Sequence, residues 1–252
     1  MTAGWVLPDW PAPAGIRALS THRTGGASAG PFASLNLGDH VGDVPAMVAE
    51  NRRRLAAAAG LPAEPLWLRQ IHAANVANLD VASGPTVPAD AAFTRRRGRV
   101  CAILTADCLP VLLTAETGEW VAAAHAGWRG LAAGVIEATV AAVRGAAGVA
   151  DPPPAKVLAW LGPAIGPRHF EVGAEVREAL LAGDAGAEGA FVPNARGRFM
   201  ADLAQLVRRR LAALGIDGIY GGNECTFEDA EHYFSHRRDG VTGRQATLIW
   251  RE

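Results

Sequence analysis

Three short segments hold side chains that can act together: RQIHAAN around His72, LTADCLPVLL around Cys108 and AAAHAGWRG around His125. Cys108 lies 36 positions after His72, and His125 lies 17 positions after Cys108. That is no sequential zinc-finger spacing, so a shared site has to be assembled by tertiary folding. Two imidazoles and one thiolate with an open fourth position form a catalytic zinc arrangement. The same residues also supply a Cys–His pair for nucleophilic catalysis. Spacing alone does not choose between the two.

Other residues qualify the picture. Asp107 precedes Cys108 and Pro110 follows it, which places the thiol at a strand edge or turn. A carboxylate there is costly to bury without a task or a partner. His125 runs into Gly-Trp-Arg-Gly and then a helical pattern. Such a helix start favours anions, and Arg129 beside it is a candidate clamp for phosphate or a carboxylate. Arg23, Asn36 and His40 sit in a glycine-rich loop and are candidates to cap a pocket, although turn chemistry also accounts for the Asn and Gly there. Gln70 and Asp90 flank the central strands and can orient substrate or a ligand histidine. Cys101, in an apolar strand, reads as a small core residue. The segment SHRRDGVTGRQA, from His236 to Gln245, is either a solvated hairpin or a second wall of the site, and Arg95–Arg99 reads as a solvated turn.

The elements that must position these groups are legible in outline. Short apolar stretches predict strands over 66–70, 76–79, 100–105, 110–114, 120–125 and 157–161, with later strands over 216–220 and 246–250. Helical patterns run over 45–59, with Asp43 as N-cap and Gly60 as stop, and over 131–144, 172–181 and 201–214. Each candidate ligand falls at or near a strand end. Strands and helices mix without strict βαβ alternation, and no Gly-rich phosphate fingerprint follows a strand. The expected fold is α+β: a single domain over residues 1–252, with a mixed β-sheet core flanked by helices. Residues 1–15 carry three prolines and are expected along the surface, Asp151–Pro154 reads as a loop, and the long polar stretch 20–45 reads as an ordered binding loop.

Composition narrows the classes. The chain has 252 residues, 50% hydrophobic and 19% charged, enough to bury a full core. A net charge of −1 argues against general binding to nucleic acid. Three dispersed cysteines make no disulfide framework. The amino terminus lacks the pattern of a signal peptide, and no apolar run reaches the ~18 residues of a membrane span. The expectation is a soluble, cytoplasmic protein with no membrane partner.

With these residues laid out, the chain resembles the YfiH family, also called the multicopper polyphenol oxidoreductase or laccase-domain family. The pieces that carry the resemblance are RTGGAS, FASLNLGDHVGD, NRRRL, QIHAANV, ADAAFT, TADCLPVLL, AAAHAGWRGLAAGVI, LGPAIGPRHFEVG and SHRRDGVTGRQA, which together span roughly residues 23 to 245 in order. His236 stands where family members often carry an aromatic residue. The resemblance implies a compact α+β fold, similar to that of cysteine-hydrolase toxins, and one zinc site on His72, Cys108 and His125. It also implies purine nucleoside phosphorylase and adenosine deaminase activity, or, for some bacterial members, editing of a cell-wall precursor by release of L-serine from a muramyl conjugate.

On that basis the expected function is zinc-dependent phosphorolysis of a small-molecule nucleoside by phosphate, with adenosine deamination. Asp107 is the candidate acid/base, Arg129 and Arg23 are candidate phosphate clamps, and Asn36 and Gln70 are candidate substrate contacts. The rivals are the cell-wall hydrolase, a metal-free hydrolase with Cys108 as nucleophile and His125 as base, and a non-catalytic metal- or nucleotide-binding module. A four-copper laccase is excluded by counting: it needs about ten histidines, and this chain has seven, dispersed. Incidental copper at a His–Cys–His site is consistent with the affinity order of divalent metals.

Overall fold

The computed structural model describes residues 4–82, 84, 86–145 and 156–252. The Asp151–Pro154 loop and the first three residues of the Pro-rich segment lie outside the described residues. The strands are β1 (Ile16–Ser20), β2 (Leu68–Arg69), β3 (Val76–Asn78), β4 (Val87–Pro88), β5 (Ala91–Thr94), β6 (Val100–Thr105) and β7 (Leu109–Ala115). They continue with β8 (Val121–Ala126), β9 (Val157–Leu161), β10 (Glu171–Val172), β11 (Phe191–Pro193), β12 (Phe199–Ala201), β13 (Gly218–Gly221) and β14 (Gln245–Arg251). The helices are α1 (Pro45–Ala59), α2 (Trp128–Ala132), α3 (Val135–Gly145), α4 (Ala174–Ala182), α5 (Leu203–Ala213) and α6 (His236–Asp239).

The centre is a mixed six-stranded sheet in the order β13-β9-β7-β8-β5-β3. Its two outer pairs are parallel and the inner ones antiparallel. A three-stranded antiparallel sheet, β1-β14-β6, packs on one face, and two small sheets complete the fold. Period-2 alternation along each strand explains the layering. On β7, Leu109, Val111 and Leu113 join the core shared with α3 and α5, whereas Leu112 joins the core between the sheets. On β6, Cys101 and Ile103 face the larger sheet, and Val100, Ala102 and Leu104 face Leu55 of α1. Strands covered on both faces read as unbroken apolar runs, which is why β6, β7 and β9 stand out in the sequence. Cys101 is a wholly buried packing residue, as expected.

Several local details differ from expectation. Helix α1 has the expected bounds and stops at Gly60 in the left-handed region, φ 60°, but its N-cap is Val44. The Asp43 carboxylate instead accepts bonds from the Val44 N–H, Ser28 and Asn36. The helix expected over 131–144 is two helices, α2 and α3, divided at Gly134, whose φ of 87° suits glycine. Strands β1, β4, β5, β10, β11 and β12 are additional. The Pro-rich segment runs along the surface, pairing with β1 through Val6 and Ser20 and tucking Trp5 and Trp10 against the core. Among the described residues, no helix is long and apolar enough to cross a membrane.

Candidate active site and metal centre

His72, Cys108 and His125 come together although they are distant in sequence. One potential ligand atom from each lies within 4.8 Å of the others. The pairing of β7 with β8 sets Leu109 opposite Ala126, so Cys108 at the head of β7 and His125 near the end of β8 meet at the same sheet edge. His72 arrives from the loop after β2, and its ring lies edge-on to that of His125, with centroids 4.9 Å apart.

Asp90, just ahead of β5, holds two of the three. It is fully buried. Its carboxylate accepts the backbone N–H groups of Ile71, His72 and Ala73 at 3.1, 2.9 and 2.8 Å. The same group meets His125 Nδ1 at 2.9 Å. A carboxylate on one ring nitrogen fixes the tautomer and turns the other nitrogen, Nε2, toward Cys108. The loop bonds also hold His72 at φ 58°, a left-handed conformation that costs a non-glycine residue on the order of 1 kcal/mol or more.

The donors fit a metal. Burial raises the Cys108 thiol, but the charges and hydrogen bonds of His125 and His72 outweigh that and bring it down to about 6. Burial likewise disfavours charge on His125, and Cys108 and Asp90 outweigh it, raising the imidazole to about 9. Asp90 is held below the usual carboxylate range: burial opposes its charge, and His125 with the Ala73 and His72 N–H groups overcomes that. Gly127, the N-cap of α2, closes the cradle. A Cβ there would stand 2.8 Å from Cys108 Sγ and 3.6 Å from His125 Nε2.

This trio opens into a cavity of about 400 Å³, also lined by Gln70, Thr105, Trp128, Arg129, Phe170 and Arg244 among others. Arg129 is exposed, stands 4.4 Å over the Trp128 ring, and has no side-chain hydrogen bond or ion pair among the described residues. Among the described residues, Thr105 Oγ1 is buried without a hydrogen-bond partner, a polar atom ready for a ligand. His40 and His236 also line the cavity.

Other candidates have different tasks. Arg23 is not a lining residue; its guanidinium bonds the Ala33 and Ala230 carbonyls and covers the Phe234 ring. Asn36 is wholly buried, and its amide bonds Gly38, Asp43 and the Arg244 N–H. Gln70 reaches the rim, but its amide bonds Leu104 N and O, both at 2.8 Å. Asp107 lines the cavity at φ 92°. Both its oxygens already accept a bond, from Thr226 Oγ1 and the Arg237 N–H, each at 2.7 Å, so the carboxylate braces the far wall. Arg244 was missed by sequence reasoning. Its backbone hangs on Asn36, its stem packs on Gly38, and its head donates through Nη1 to the Thr242 and Gly243 carbonyls while lining the cavity with Cys108 and Asp107. The only signal for it was its place in the polar segment read as a second wall.

A thiol between two imidazoles, at the floor of an arginine-rimmed cavity in an α+β domain, is the layout of an enzyme site that can bind a metal. The family described as multi-copper polyphenol oxidoreductase laccase matches residues 17–252, and the chain belongs to that family. It is 51% identical to purine nucleoside phosphorylase YfiH of Escherichia coli over 245 residues, covering 97% of this chain and 98% of that protein. It is 53% identical to purine nucleoside phosphorylase PA4543 of Pseudomonas aeruginosa, covering 98% of each. The crystal structure of Neisseria meningitidis protein NMB0706 superposes with a TM-score of 0.91 at 46% identity, over 98% of this chain and 99% of that one.

Proposed function

We propose that this chain is a zinc-dependent purine nucleoside phosphorylase, which converts adenosine or inosine and phosphate to the free base and ribose 1-phosphate, and that it also deaminates adenosine to inosine. The observation that carries the proposal is the convergence of His72, Cys108 and His125 at the floor of a cavity that also presents Arg129, Arg244 and Thr105. The names of the relatives in Escherichia coli and Pseudomonas aeruginosa agree with it. The cavity's 400 Å³ falls within the usual range of small-molecule sites, about 300–1,000 Å³.

His72, Cys108 and His125 would hold the zinc, which when bound supplies Lewis acidity at the cavity floor. The donor set also admits copper. Arg129 and Arg244 bind the phosphate dianion and orient it toward ribose C1′, a charge-assisted clamp in a site partly shielded from water. Trp128 and Phe170 offer apolar surface to the purine. Asp90 keeps the proton on His125 Nδ1 and so fixes which nitrogen faces Cys108. Deamination exchanges the C6 amino group for an oxygen from water at the same floor.

The test is product analysis by mass spectrometry with adenosine, with and without phosphate, beside Cys108→Ala. The proposal expects adenine and ribose 1-phosphate only with phosphate, inosine without it, and neither from the variant. Untouched adenosine from zinc-loaded protein overturns it. A second reading is favoured by the lowered Cys108 thiol and raised His125: a metal-free thiolate–imidazolium pair with Cys108 as nucleophile. It requires metal-stripped protein that stays active and loses activity to iodoacetamide.

A further inference from the structure

Beside the cavity, the turn after β9 and the segment ahead of α6 bring together a second set of metal-ligating side chains. His169, Cys225 and Glu228 each offer a ligand atom, and these atoms lie within 4.8 Å of one another. We propose that they form a second divalent-cation site, of zinc-class preference, that fastens the 163–170 turn to the 223–230 segment.

The local geometry is that of a ligand cradle. The Asp229 N–H bonds the Cys225 carbonyl at 3.1 Å, closing a turn that puts Cys225 and Glu228, three positions apart, on one side. Facing them, the His169 and Phe170 N–H groups bond the Gly166 carbonyl, and this second turn presents His169. The imidazole is stacked on Phe227, centroids 4.3 Å apart and planes 13° apart, which fixes the ring plane. Its Nε2 lies 2.8 Å from Glu228 Oε1.

The thiol has its own support. The Gly166 N–H donates to Cys225 Sγ at 3.1 Å. A neutral thiol is a weak acceptor, whereas a metal-bound thiolate gains from such a donor. A Cβ on residue 166 would stand 3.0 Å from that sulfur, so glycine permits the approach. Arg168 Nη2 sits across the Glu228 carboxylate, 2.7 Å from Oε1 and 2.8 Å from Oε2, and offsets its charge; an exposed arginine there can swing aside as Oε1 turns to an ion. Cys225 and Glu228 line a separate cavity of about 570 Å³, from which solvent can complete the coordination.

Binding exchanges the His169–Glu228 hydrogen bond for two metal bonds and releases the Cys225 thiol proton to solvent. One sulfur, one nitrogen and one oxygen donor suit zinc better than magnesium or calcium, which take oxygen alone. The site stands behind the cavity wall: the neighbouring Thr226 bonds Asp107, and Arg237 reaches the His169 carbonyl. It shares no residue with the His72–Cys108–His125 centre.

Cobalt(II) titration of the full chain tests this, read by bound stoichiometry and the thiolate-to-cobalt charge-transfer band. Cys108→Ala removes the first centre's thiolate, so the remaining band reports Cys225 alone. One bound equivalent with that band is expected in Cys108→Ala. The band should vanish in Cys108→Ala/Cys225→Ser. His169→Gln in the Cys108→Ala background should weaken cobalt binding by more than the roughly 10–100-fold typical of losing an outer-shell partner. It keeps the thiol and changes a partly exposed residue, so it answers the question if the serine variant does not fold, as circular dichroism will show. No band in folded Cys108→Ala, or undiminished cobalt affinity in the His169→Gln variant, overturns the proposal.

Discussion

At the cavity floor, His72, Cys108 and His125 hang from strand ends, and one buried carboxylate, Asp90, fixes two of them. At the rim, Arg129 projects from the five-residue helix α2, and Arg244 leans on Gly38 just ahead of β14. The floor is therefore preorganised by the sheet, with ring orientation and tautomer set before any ligand arrives. The rim is cationic and, at Arg129, exposed and held only by stacking on Trp128 among the described residues. Under the proposed function the difference teaches a division of labour, in which the floor would decide whether the metal binds and the rim which anion is held.

The largest expected effect is at the floor. Asp90→Ala leaves His125 and three backbone N–H groups without their acceptor and should lower stability by about 3–5 kcal/mol in urea unfolding. Asp90→Asn keeps the shape and should weaken metal binding roughly 10–100-fold in a chelator competition. Unchanged metal affinity in folded Asp90→Asn would break the contrast. The thiol tests the same region. In metal-stripped protein, Cys108 should alkylate with a midpoint near pH 6, followed by peptide-resolved mass spectrometry, with the rate rising as pH rises through that value. An ordinary thiol titrates near about 8.5, and a midpoint there contradicts the His125–His72 field.

Rim substitutions should have smaller effects of another kind. If the rim clamps phosphate as proposed, Arg129→Met and Arg244→Met each remove charge-assisted bonds to it worth about 1.5–3 kcal/mol. Each should raise KM for phosphate roughly 10–100-fold while metal content stays constant. Metal loss on either substitution would merge the two regions. The smallest effect is expected at Arg23, which ties Ala33 to Ala230 outside the cavity lining. Arg23→Met should lower stability by about 1 kcal/mol and leave KM for phosphate unchanged; a rise like that of Arg129 returns Arg23 to the clamp.

The floor was legible in the sequence because its residue types are few and fall at strand ends that apolar runs make visible. The bounds of α1, β6 and β9 followed from the same patterning. What lay beyond reach depends on long-range bonds. Asp107 neighbours Cys108 in the chain, yet its φ of 92° and its bonds to Thr226 and Arg237 carry the carboxylate to the far wall. Asn36 reads as a loop polar group, and its amide proves to hold the Arg244 backbone, 208 positions away. Arg244 itself was marked only by its place in the polar segment from His236 to Gln245, one arginine among many. Helix α2 was hidden because Gly134 breaks a pattern that otherwise reads as continuous.

The most direct test of the central claim is ribose 1-phosphate release from adenosine and phosphate as zinc is returned to metal-stripped protein, in parallel with Cys108→Ala. Activity that is absent in the stripped protein, rises with zinc and never appears in the variant is the predicted result. Full phosphorolysis by stripped protein, or by Cys108→Ala, would contradict the claim that the His72–Cys108–His125 centre carries the reaction.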